Sequence, residues 1–204
     1  MIAIVDYGLG NVQAIANIYK RLNLPARLAA RPEDLVDATH VILPGVGAFD
    51  WAMNRLDDSG MRPALENAVL GQGKPALGIC VGMQMLARRS DEGTRAGLGW
   101  IDAEVRKFDV TRMTARTHLP HMGWNDVRPR PAAGLFAGFE DDARFYFLHS
   151  YYFAPLRDAD VLAETDYHGR FASAVRAGHI HGVQFHPEKS HRWGIGLLRN
   201  FAGS

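Results

Sequence analysis

A single cysteine in 204 residues excludes an internal disulfide. Without that mark of secretion, a reducing cytoplasm is the expected location. No run of about eighteen apolar residues occurs, so no segment reads as a transmembrane helix. Neither sign of charge prevails: 23 Lys and Arg stand against 22 Asp and Glu, a formal net charge of +1. That balance points to neither a nucleic acid nor a membrane surface as partner. The opening MIAIVDYGLG lacks a basic region and a cleavage site, and reads instead as a buried first strand. No linker, repeat or low-complexity tract interrupts the chain, so one domain over residues 1–204 is expected. G-x-G-x-x-G is absent at both Gly8 and Gly45, and no GK[ST] occurs, which argues against a nucleotide loop. No histidine–carboxylate cluster has metal-ligand spacing, so neither a metal nor another cofactor is expected.

What remains is ordinary core-forming material, 47% hydrophobic, arranged in a pattern. Up to about residue 90, apolar runs alternate with helical periodicity. IAIVDYG, PARLAA, HVILPGVG and KPALGIC read as strands, each bounded by a glycine, a proline or a polar turn. NVQAIANIYKRL, DWAMNRL, RPALENAVL and VGMQMLARRS read as helices. Such alternation implies a parallel sheet covered on both faces. From Gly97 the pattern changes. GLGWIDAEVRKF, HMGWNDVRP, ARFYFLHSYYF, DVLAETDY, RFASAVRAG and HIHGVQFHP all read as strands, and a last helix is expected from Ser190 to Phe201. The basic stretch RKFDVTRMTARTHLP reads as a solvated loop or hairpin.

The lone cysteine sits in GICVGMQ, between Gly78 and Gly82, where a strand turns sharply into a helix. G-x-C-x-G in that context has the shape of a nucleophile elbow. The elbow residue is expected to adopt a strained backbone conformation, and its neighbours must be small because strand and helix approach closely there. Cys80 would then stand at the C-terminal edge of a parallel sheet, where open α/β folds bind ligands. The positive end of the following helix would favour thiolate.

A base must reach it. Of nine histidines, two end strand-like runs that could arrive at the same edge: His149 in ARFYFLHS and His186 in IHGVQFHPE. His186 is better supported, because Pro187 stops the strand and Glu188 is spaced to hold the imidazole in one tautomer. PGVGAF, residues 44–49, ends another strand, and its backbone N–H groups at Val46 and Gly47, with that of Val81, could bind an oxyanion. The residues alone therefore indicate a Cys-His-Glu hydrolase or acyl transferase on a doubly wound sheet. They do not name the acyl group.

GICVGMQ, PGVGAF and GVQFHPEKS together resemble the class I (triad) glutamine amidotransferases; PHMGWN, FYFLHSYY and GLGWI are similar to the branch that serves imidazole glycerol phosphate synthase in histidine biosynthesis. The resemblance implies a flavodoxin-like α/β fold: a doubly wound mixed, largely parallel sheet with helices on both faces, plus a β-rich C-terminal half. It implies that Cys80 attacks L-glutamine, with Gln84, Glu92 and the His149–Ser150–Tyr151 backbone binding the substrate. It also implies a heterodimer with a (βα)8-barrel synthase subunit that receives the ammonia, through an interface at Asn11, Trp124, Tyr146 and Lys189. Service to another ammonia-using synthase, a stand-alone γ-glutamyl hydrolase and a non-catalytic module are the competing expectations. One departure is visible: HRWGIG, after the HPEKS motif, puts a Trp and two glycines into a helix expected to be more regular.

Overall fold

The computed structural model describes residues 1–112, 118–131 and 133–204. In the first part of the chain β1 (Ile2–Val5), β2 (Ala26–Ala29), β3 (His40–Gly45) and β4 (Ala76–Cys80) alternate with α1 (Val12–Arg21), α2 (Phe49–Asp58), α3 (Arg62–Glu66) and α4 (Val81–Gln84). Then follow β5 (Arg89–Ser90), β6 (Ala103–Lys107), β7 (His121–Asp126), β8 (Arg128–Pro129), β9 (Arg144–His149), β10 (Tyr151–Pro155), β11 (Val161–Asp166), β12 (Arg170–Ala177) and β13 (Ile180–Val183). The last helix is α5 (His191–Ala202).

The main sheet has eight strands in the order β2-β1-β3-β4-β13-β12-β11-β8. The first five are mutually parallel. The last three pair antiparallel. Every residue of β1, β4 and β13 is buried, as strands covered on both faces must be. The β1-to-β2 crossover runs toward one edge of the sheet and the β3-to-β4 crossover toward the other. Right-handed connections therefore put α1 on one face and α2 with α3 on the opposite face. This is the mixed, doubly wound fold that the sequence implied. On its α1 side the core is closed by Ile15, Ile18 and Tyr19. Burying side chains of that size contributes about 1.5–3 kcal/mol each. The Tyr19 hydroxyl donates to the Leu198 carbonyl at 3.1 Å and so ties α1 to α5.

Three expectations change in detail. The helix after Cys80 lasts only four residues, and Arg89–Ser90 pairs with β6 as a strand instead of extending it. GLGWID is not strand: the N–H groups of Gly97, Leu98, Gly99 and Ile101 bond to the carbonyls of Arg88, Met85, Ala87 and Leu86. The segment thus folds back on residues 85–88, the stretch that follows α4, instead of joining a sheet. ARFYFLHSYYF breaks at Ser150 into two strands that serve different sheets, β9 pairing with β7 and β10 with β6. The basic stretch lies partly outside the described residues. In its described part the chain leaves β6 and forms a short 3-10 turn at Val110–Arg112.

Candidate active site

Cys80 is the last residue of β4 and holds φ 56°, ψ −114°. A non-glycine residue at positive φ carries strain that only a rigid surround sustains. The surround is visible in the two flanking glycines. A Cβ on Gly78 would lie 2.7 Å from the Gly82 carbonyl oxygen and 2.8 Å from Met83 Cα, and one on Gly82 would collide with the Leu43 carbonyl. Glycine is therefore required at both positions for β3, β4 and α4 to approach this closely.

Parallel pairing brings the second group to the same edge. Gly182 pairs with Gly78 and Val183 with Ile79, so the chain leaving β13 runs alongside Cys80. The strand ends three residues before His186, but its course is held: Gln184 N–H bonds to Ser173 O and His186 N–H to Tyr146 O, both at 2.9 Å. Pro187 opens a 3-10 turn, Pro187–Lys189, that returns Glu188 to the imidazole. Nδ1 of His186 lies 2.9 Å from Glu188 Oε1, and each side chain is 4% exposed. The carboxylate can only accept, so Nδ1 carries the proton of the neutral ring and Nε2 is left free. Nε2 is buried with no nitrogen or oxygen partner among the described residues. Burial alone would lower the His186 pKa, but the Cys80 sulfur and then the Glu188 carboxylate overcome it and raise it to about 10.

The glycines of HRWGIG have a packing reason. A Cβ on Gly194 would strike the Pro187 carbonyl, and one on Gly196 would lie 2.9 Å from the Phe139 ring. The missing side chain at Gly194 lets α5 press directly on the turn that carries Glu188, and that at Gly196 makes room for Phe139.

Around the sulfur opens a cleft of about 310 Å³. Val46, Gly47 and Val81 line it, as do Gln84, Glu92, His149, Ser150 and Tyr151. Every residue expected in the oxyanion and substrate-binding sets is thus at the cleft. Glu92 accepts the Phe49 N–H at 2.9 Å, which fixes its carboxylate at the start of α2, where the helix dipole favours a negative charge. Gln84 is 2% exposed, and its amide donates to Tyr151 O and to Gln184 Oε1, each at 3.1 Å.

His149 is not placed to act as a base. Its Nδ1 donates to Tyr151 O at 2.8 Å, and its Nε2 lies 3.0 Å from Nδ1 of His121. Burial, then His121, lowers its pKa to about 3, and it stays neutral. His121, also buried, is lowered to about 4.

The residues expected at a partner interface are all at least partly exposed. Asn11 is exposed at the start of α1 and makes no side-chain cap bond. Trp124 is 37% exposed and stacks on His191, with centroids 5.4 Å apart and planes 7° apart. Tyr146 packs edge-on against Trp124. Lys189 lies over the Tyr146 ring with Nζ 5.8 Å from its centroid, and it also lines the cleft.

Sequence reasoning missed Gln184, His121, Leu148 and Tyr7. Gln184 is fully buried and its Nε2 lies 3.8 Å from the Cys80 sulfur. A signal existed: it is a polar residue two positions before His186 in an otherwise apolar run. Leu148 contributes a backbone carbonyl 3.9 Å from the sulfur. Burial and then Cys80 push the Tyr7 pKa well up, and its hydroxyl donates to Pro44 O at 2.7 Å.

Known proteins resemble this chain over nearly its whole length. A family model described as glutamine amidotransferase class-I matches residues 3–202. The chain is similar to the imidazole glycerol phosphate synthase subunit HisH of Bdellovibrio bacteriovorus, 55% identical over 99% of both chains. The subunit of that name from Leptospira interrogans is 47% identical over 99% of both chains, and HisH 2 of Pseudomonas aeruginosa 43% over 98% of both. Among solved structures, that of a glutamine amidotransferase shares the fold with a TM-score of 0.75 at 20% identity, covering 100% of this chain and 99% of its own. A putative GMP synthase subunit from Thermoplasma acidophilum does so at 0.73 and 21%, covering 99% and 92%. A match over nearly the whole length, joined to a cysteine elbow facing a histidine–glutamate pair, makes this chain a member of the class-I glutamine amidotransferase family.

Proposed function

We propose that this protein is the glutaminase subunit of an imidazole glycerol phosphate synthase of histidine biosynthesis. One observation carries the chemistry: a cysteine held at a strained elbow shares a cleft with a buried histidine–glutamate pair. The relatives' names carry the identity of the synthase.

In this reading Cys80 attacks the side-chain amide carbon of L-glutamine. The oxyanion that forms is met by backbone N–H groups of Val46 or Gly47 and of Val81, which surround the sulfur. The C–N bond then breaks, and His186, as imidazolium steadied by Glu188, gives its proton to the departing ammonia. A glutamyl thioester remains. His186 next takes a proton from water, which attacks the thioester and releases glutamate and the Cys80 thiol. Glu92 is suited to the α-ammonium of the substrate, since it presents a fixed carboxylate to the cleft. Ammonia passes to a (βα)8-barrel synthase subunit docked on the face bearing Asn11, Trp124, Tyr146 and Lys189.

The test is glutamate formation from glutamine, with and without a barrel subunit carrying its phosphoribosyl substrate. Strong stimulation by that partner is expected, together with production of imidazole glycerol phosphate. Hydrolysis at full rate without any partner would point to a stand-alone hydrolase instead. Cys80→Ser should retain the fold and lose the activity, because a serine hydroxyl beside the same histidine stays protonated. A serine variant near wild-type rate would remove Cys80 from the role of nucleophile.

A further inference from the structure

The Cys80 sulfur has two polar neighbours besides the histidine, and they favour opposite states of it. The Leu148 carbonyl, at 3.9 Å, can accept a hydrogen bond from a thiol and repels a thiolate. The Gln184 side-chain amide nitrogen, at 3.8 Å, can only donate. A contact of that length is weak toward neutral sulfur and strengthens when the sulfur carries charge.

The orientation of the Gln184 amide is not free to reverse. Its Oε1 accepts an N–H of Gln84 at 3.1 Å, so its own NH2 must face the sulfur. Gln84 is fixed in turn, because its Nε2 also donates to Tyr151 O. Tyr151 O receives a second bond, from Nδ1 of His149, and that choice propagates. With Nδ1 donating, His149 Nε2 accepts from His121 Nδ1 at 3.0 Å. His121 Nε2 then accepts from Asn125 Nδ2 at 3.2 Å, and the same amide nitrogen donates to Asp166 O at 3.1 Å. Every donor in the chain from Asn125 to Cys80 meets an acceptor in one arrangement only. Gln84, Gln184, His121 and His149 are all buried, so water does not compete.

We infer that Gln184 is a further catalytic residue of this site: its amide donates a hydrogen bond to the Cys80 sulfur and favours the thiolate, in an orientation locked by Gln84 and Tyr151. The inference rests on the glutaminase reading for its purpose, but the contact itself does not. The titratable groups around the sulfur are His186 and Glu188 from the turn after β13, Tyr7 from the loop after β1 and His149 at the end of β9. Glu92 and Lys189 line the same cleft. Gln184 adds a donor that does not titrate. It therefore shifts the pH at which the sulfur becomes reactive without adding a limb of its own.

The experiment is the rate of Cys80 alkylation by iodoacetamide as a function of pH, on the full-length chain, for wild type, Gln184→Met and Gln84→Met. Hydrogen bonds to charged groups contribute at least about tenfold in an equilibrium, so Gln184→Met should move the inflection of the rate profile up by about one pH unit. Alkylation at neutral pH should fall by about the same tenfold factor. Gln84→Met leaves the donor but frees it to turn, and a smaller shift in the same direction is expected. If Gln184→Met does not fold by thermal denaturation, Gln184→Glu replaces it; that variant keeps an acceptor for Gln84 and sets an oxygen against the sulfur. A merely structural Gln184 would lower the rate equally at every pH. An unmoved inflection in the variant that folds overturns the inference. Alkylation needs no glutamine turnover, so a failed glutaminase assay would leave this result intact.

Discussion

Replacing Glu188 by Gln removes one charge and almost no volume, which isolates what the carboxylate does for His186. The two side chains meet at 2.9 Å and each is 4% exposed, so solvent screens their interaction little. A hydrogen bond to a charged group contributes about 1.5–3 kcal/mol, and 1.36 kcal/mol is a factor of ten. Burial places this pair toward the upper end, roughly a hundredfold in kcat/KM. The glutamine side chain cannot recover that loss by turning. Glu188 Oε2 is already buried without a partner among the described residues, so the amide NH2 placed there would be a buried donor with no acceptor. The pH dependence should move as well. His186 is raised to about 10 against its burial, by Cys80 and Glu188. As the acid that protonates ammonia, it works below that value and fails above it. Without Glu188 one of the two raising causes is gone, and the alkaline limb of the rate profile should move to lower pH. The assay is steady-state glutamate formation in the presence of the barrel subunit, with a thermal midpoint to show that the variant folds. A Glu188→Gln protein within about threefold of wild-type kcat/KM, with its alkaline limb in place, would refute this account of the pair.

Val46→Pro removes the N–H expected to face the oxyanion, and loss of one such donor costs roughly 10²–10³ in rate. The variant should bind glutamine and partner normally yet show no activation; normal activation would move the donor to Gly47. Gly194→Ala puts a methyl group against the Pro187 carbonyl and should displace the turn that carries Glu188. Overpacking of this kind costs roughly 1–3 kcal/mol, so both the thermal midpoint and kcat should fall, and a variant unchanged in both would show that α5 adjusts freely. The neutral buried histidines give the protein an acid limit. Burial lowers His121 and His181 to about 4 and His149 to about 3, against about 6.5 in the unfolded chain. Between those values the unfolded state binds more protons, so their contribution to stability is complete above about pH 6.5 and is lost as pH falls through about 4 to 3. Denaturant midpoints from pH 7 to pH 4 should fall steeply, and less steeply in His181→Asn; equal slopes would mean that His181 is already charged in the fold.

Local chemistry in the sequence determined the parts of this protein that depend on near neighbours. Apolar runs ended by glycine or proline became the buried parallel strands, because a strand covered on both faces has no polar side to show. Gly-x-Cys-x-Gly announced the elbow, since no side chain fits where Gly78 and Gly82 pass their neighbours. His-Pro-Glu announced its own pairing, because two residues and a proline turn suffice to bring a carboxylate back to the ring. Tertiary structure decided what depends on residues far apart in the chain. His149 and His186 both read as strand-ending histidines, and sequence favoured His186 only by the Pro187 and Glu188 that follow it. The fold separated them by giving both nitrogens of His149 to Tyr151 and His121, and by leaving Nε2 of His186 free beside the sulfur. GLGWID looked like strand by its apolar content, but its N–H groups bond to the carbonyls of residues 85–88, in the chain that follows α4. Gln184 had no local motif at all. Its meaning comes from the parallel pairing of β13 with β4, which sets a buried amide against a cysteine 104 positions earlier. Register across a sheet is set by burial of a whole strand face, and no short stretch of sequence contains that information.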